Sequence, residues 1–95
     1  MNNDAAPLKD VIMEFLKLFR VEERFDQLKL IEEWENVAGA VIARHTTGIF
    51  LKNRQLQITL DSAALKNNLI YSKSKLINSL NKALKKNIID DIVFR

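Results

Sequence analysis

A chain of 95 residues, 47% of them hydrophobic, can bury one modest core and is too short for two. The absence of cysteine excludes disulfides and thiolate metal sites, and the single histidine leaves no metal-ligating set. The net charge of +3 hides an asymmetry: residues 1–46 carry six Lys/Arg against nine Asp/Glu, and residues 47–95 carry nine against three. Two solvated faces would account for this, as would two halves suited to different partners.

The first six residues are polar or small and read as a flexible N-terminus, with the folded domain expected over residues 7–95. Pro7 suits a first helical position, and Leu8, Val11, Ile12, Phe15, Leu18 and Phe19 follow at helical spacing. The pattern breaks near Arg20, where Glu22 and Glu23 suit a new helix start. A second helix then points Phe25, Leu28, Ile31, Trp34, Val37 and Ala38 inward and leaves Glu22, Asp26, Lys29 and Glu33 wet. Trp34 is its expected anchor.

Gly39 either ends this helix or admits another backbone, and Val41, Ile42 and Ala43 give one further apolar turn. His45 follows beside Thr46, and a partly buried ring hydrogen-bonded near a helix end is its expected role. From Ile49 the period becomes two. Ile49 and Leu51, then Leu56, Ile58 and Leu60, predict a half-buried hairpin turning at Asn53 and Arg54.

Residues 62–87 contain neither Gly nor Pro and predict one long helix around which the domain is built. Leu65, Leu69, Leu76, Leu80 and Leu84 form its apolar stripe, and Lys75, Lys82, Lys85 and Lys86 point away from it. Lys66 and Lys73 fall inside the stripe and must snorkel out. Asp61 or Ser62 can cap its start. Ile89, Ile92, Val93 and Phe94 close the chain as a third strand, parallel to the second hairpin strand and with one edge open to pairing. The expected fold is α+β, ordered ααββαβ, with a three-stranded sheet packed on a long helix.

Nothing in this pattern supports catalysis. There is no phosphate-cradling glycine loop, no nucleophile elbow and no paired histidines, and the carboxylates at Glu32, Glu33, Glu35, Asp90 and Asp91 read as surface or turn residues. No cofactor, metal or small-molecule substrate is expected, and no apolar run is long enough to span a bilayer. A cytoplasmic, non-enzymatic binding module is the reading these residues support. Lys52, Arg54, Lys75, Lys82, Lys85 and Lys86 are candidates for a weak, salt-dependent nucleic-acid surface, although Phe50, Tyr71 and Phe94 are the only aromatics near them.

The run from Trp34 through Glu35, Asn36, Val37, Ala38, Gly39, Ala40, Val41, Ile42, Ala43, Arg44 and His45 to Thr46 resembles the signature of the DciA-like proteins. The likeness continues through Leu56, Gln57, Ile58 and Thr59, through Asp61, Ser62, Ala63, Ala64 and Leu65, and into the closing strand. That resemblance implies a fold similar to K-homology domains and to the amino-terminal domain of the initiator DnaA. It also implies a partner, the replicative helicase DnaB, whose loading on DNA such proteins assist. Under this reading Trp34, Gly39, His45 and Thr46 shape the partner-binding patch. The chain ends at the third strand, where longer members carry extensions, and it lacks the Gly-x-x-Gly loop with which K-homology domains clamp a nucleic-acid backbone.

Overall fold

The computed structural model describes residues 5–95, apart from the side chains of residues 5–7, 16 and 19. The elements run α1 (Ala5–Ala38), α2 (Ala40–Arg44), β1 (Thr46–Lys52), β2 (Gln55–Leu60), α3 (Ala63–Ile70), α4 (Lys73–Ala83) and β3 (Asp91–Phe94). The fold is a small single α+β domain with one three-stranded sheet. Ala5 and Ala6 already belong to α1, and residues 1–4 lie outside the described residues.

Strand β2 is central. It pairs antiparallel with β1 and parallel with β3, so the closing strand takes the direction expected of it. Alternation places Leu51, Leu56, Ile58, Ile92 and Phe94 on one buried face, where Leu30, Trp34, Leu69, Leu76, Leu80, Ile88 and Ile89 complete the core. The other face carries Phe50, Gln57 and Val93 in register, then Lys52, Gln55 and Asp91. The hairpin turns at Asn53 and Arg54, both in the left-handed region at φ 51° and 65°, as a two-residue turn matched to strand twist requires.

The helices depart from the pattern in the sequence at three points. The two expected first helices are one: α1 runs through Arg20 without interruption for 34 residues, roughly 50 Å at 1.5 Å per residue, and the molecule measures 62 × 25 × 19 Å. No Gly or Pro lies between Leu8 and Ala38, so nothing local forces a break. The core-facing stripe of α1 departs from the expectation in part: Trp34 is in the core with Val37 and Ala38 against it, as expected, but the three apolar positions before Trp34 are not. Asp26, Leu30 and Trp34 are buried, whereas Phe25, Leu28 and Ile31 are exposed. Apolar residues surround this helix, so its periodicity does not single out the side that meets the sheet.

The expected long helix over residues 62–87 is the third departure, being two helices joined at Tyr71 and Ser72. The Tyr71 and Ser72 amides tighten onto the carbonyls of Asn68 and Leu69, closing α3, and Ser72 O accepts the Leu76 amide to start α4. Strands of four to seven residues span only about 13–24 Å, so a straight rod of that length would carry part of its leucine stripe past the core. The break lets Leu69 and then Leu76 and Leu80 reach the same core. Ser62 caps α3 by accepting the Leu65 amide at 3.3 Å. Helix α4 ends with Lys85 left-handed at φ 56° and the Lys86 amide on Asn81 O, the bond of a Schellman cap.

Candidate interaction surface

The family-like segment turns out to be a hinge of hydrogen bonds built from beneath. Gly39 has φ 99°, a conformation that L side chains rarely adopt, and it lets the chain leave α1 and begin α2. An added Cβ would meet nothing within 4 Å, so conformation and not close approach is what selects glycine there. Trp34 is only 2% exposed, and its Nε1–H donates to Thr46 Oγ1 at 2.9 Å. Thr46 Oγ1 donates in turn to Ile42 O at 2.7 Å. The chain from Trp34 through Thr46 to Ile42 locks α1, α2 and the start of β1 together.

His45 terminates α2, its amide shared between the carbonyls of Val41 and Ile42. Its ring is exposed and not partly buried, and its partner is distant in sequence: Nδ1 lies 2.7 Å from Asp61 Oδ1. The Asp61 amide also donates to His45 O, so the carboxylate that could have capped α3 closes the β1 and β2 ends instead. Beside this pair Val41 is half-exposed and Arg44 is exposed. Within the expected patch, Trp34 acts from beneath, exposed Gly39 sets the path from α1 into α2, and His45 with half-buried Thr46 carries the shape to the surface.

The basic candidates divide. Arg54 Nε bonds Asp90 Oδ2 at 3.2 Å and its Nη1 bonds Asn87 O, pinning the hairpin tip to the loop before β3. Lys86 Nζ bridges Glu22 at 3.0 Å and the buried Asp26 at 3.1 Å, and those two bonds, Glu22 first, hold its pKa above the ordinary value. Asp26, expected on the wet side of a helix, is thus buried against a cation from the far end of the chain. Lys52, Lys75, Lys82 and Lys85 are exposed and have no ion pair among the described residues. Lys75 and Lys82 share one side of α4.

Two features have no counterpart among the sequence-based expectations. Asn81 grips the approach to β3: its Oδ1 accepts the amides of Ile88 and Ile89, and its Nδ2 donates to Ile89 O at 2.8 Å. An asparagine ten residues before a strand carries no signal for this. On the other side of the sheet, Arg20, Arg24 and Lys52 rim a shallow groove floored by Phe50. Gln27 and Glu23 accept the outward amides of Leu51 and Asn53 there, so α1 covers the β1 edge. Asp91 opens β3. Burial would push its carboxyl up, but the Gln55 amide and the Lys73 ammonium hold it below the ordinary value. Lys73 leaves the apolar stripe to reach it.

Among the described residues no three of His, Cys, Asp and Glu converge as metal ligands would, and no helix is long and apolar enough to cross a membrane. The described elements form a small α+β scaffold whose surface carries the His45–Asp61 pair and exposed lysines. The family model described as "Dna[CI] antecedent, DciA" matches residues 7–94, and the chain belongs to the DciA family. Comparison with curated proteins and with solved structures gives no match.

Proposed function

We propose that this chain is a non-enzymatic adaptor that binds the replicative helicase of the DnaB type and assists its loading during DNA replication in the cytoplasm. The observation that carries this reading is the family match over nearly the whole chain. The surface it uses is the one Trp34 and Thr46 hold in shape: Val41, Arg44, His45 and Asp61 around the α2 end. Recognition there needs no metal or cofactor, since an exposed apolar residue ringed by polar and charged groups suits a protein partner.

Calorimetric titration of the helicase with this chain tests the assignment. Val41→Glu and Arg44→Glu alter exposed positions and leave the core intact, so each is expected to weaken binding at least about tenfold without lowering the urea midpoint. Unchanged affinity in both folded variants would overturn the choice of surface, and failure of the parent to bind would overturn the function.

A second reading has its own observation. Lys75, Lys82 and Lys85 are exposed and free of ion pairs among the described residues, which suits phosphate contact as an accessory to helicase loading.

A further inference from the structure

Helix α1 is tied to the rest of the fold from Glu22 onward, through Glu22, Glu23, Asp26, Gln27, Leu30 and Trp34. The part before Glu22 reaches outward and exposes its apolar residues. Leu8, Val11, Phe15 and Leu18 are 63%, 65%, 62% and 68% exposed. Their spacings of three, four and three are the a and d positions of a coiled-coil seam. At about 100° per residue the four fall, with half-exposed Ile12, within an arc of roughly 120°. This arc overlaps the side of α1 that farther along is covered by the sheet. A core-like stripe thus continues past the fold that would cover it.

We propose that the projecting half of α1 pairs antiparallel with the same segment of a second copy. A two-fold axis near Met13 stacks Leu8 of one copy on Leu18 of the other and Val11 on Phe15, filling every layer from a single sequence, as an isologous interface requires. Parallel pairing would instead extend the seam to Glu22, setting a carboxylate that already serves Lys86 against its own copy. Antiparallel pairing stops short of Glu22 and leaves the two folded bodies at opposite ends. The polar positions Lys9, Asp10, Glu14, Lys17 and Arg20 mix both signs, so no single-sign field repels a second copy.

The area suits a reversible dimer. Five residues at half to two-thirds exposure offer on the order of 500 Å² per copy, below the ~800 Å² of a standard interface and within the range of weak ones. An interface of that size suits a dimer that forms and dissociates with concentration.

Sedimentation velocity on the full chain, from low micromolar to near-millimolar concentration and without any helicase, tests this independently of the proposed function. The parent is expected to pass from monomer to dimer. Val11→Glu and Leu18→Glu, both at exposed positions, are expected to shift that transition at least about tenfold upward. Orientation is read from single-cysteine variants, which a cysteine-free chain allows. A mixture of Leu8→Cys and Leu18→Cys should cross-link through a short bis-maleimide more than either alone. A parent that stays monomeric throughout would overturn the proposal, as would cross-linking of Leu8→Cys to itself in preference to the mixture. Normal dimerisation by both glutamate variants would do so too, even if they had lost a different partner.

Discussion

At the scale of single residues, the most consequential side chains are those that satisfy buried backbone. Asn81 serves the Ile88 and Ile89 amides and the Ile89 carbonyl where both isoleucines are buried. Asn81→Ala strands these groups and is expected to cost about 2–4 kcal/mol in urea unfolding. Asn81→Asp keeps the acceptor and loses only the donor, so it should cost about half as much. Trp34 combines a large buried ring with one bonded N–H. Trp34→Ala is expected to remove about 3–5 kcal/mol, most of a small domain's stability, and Trp34→Phe about 1–2 kcal/mol. A Trp34→Ala midpoint equal to the parent's would contradict its place in the core.

At the scale of elements, ion pairs that join distant segments are expected to make stability depend on pH. Lys86 ties the end of α4 to α1, and its raised pKa means that the folded state holds the proton more tightly than the unfolded one. Its contribution is therefore complete below about 10.5 and is lost as pH rises through the folded value. Asp91 joins β3 to Gln55 and Lys73 with a lowered pKa, so its contribution is present above about 3.8 and is lost as pH falls through the folded value. Stability measured against pH should fall at both ends. Lys86→Met should flatten the alkaline limb, and Asp91→Asn the acid one, each leaving the other in place. An alkaline limb that persists in Lys86→Met would assign it to other groups.

At the scale of the whole molecule, the charge asymmetry of the two halves is partly neutralised internally. Glu22 and Asp26 from the acidic half hold Lys86 from the basic half, and Arg54 is held by Asp90. What remains for a polyanion among the basic candidates is Lys52 and, on α4 and its C-terminal end, the three lysines Lys75, Lys82 and Lys85. Changing these three to Gln leaves the core untouched, and the fold should survive with small losses. If they bind phosphates, DNA affinity falls alike for all sequences, and the slope of log affinity against log salt becomes shallower by about one unit for each phosphate no longer neutralised. Helicase binding should be unchanged. Its loss in a folded variant would move the protein interface onto α4.

The sequence by itself determined what depends on local chemistry. Alternation marked the hairpin, Asn53 and Arg54 its turn, Gly39 an interruption of a helix, and Trp34 an anchor, because period, turn conformation and glycine's φ are set within a few residues. The run from Trp34 to Thr46 also carried the family. Tertiary structure alone decided which side of α1 faces inward and where residues 62–87 break. Both depend on what the helix meets: a helix that is apolar on several sides takes its inner face from its packing, and the break between α3 and α4 brings Leu69 and then Leu76 and Leu80 onto one core. For the same reason the partners of Asp26, Asn81, His45 and Arg54, each drawn from elsewhere in the chain, were fixed only by the assembled fold.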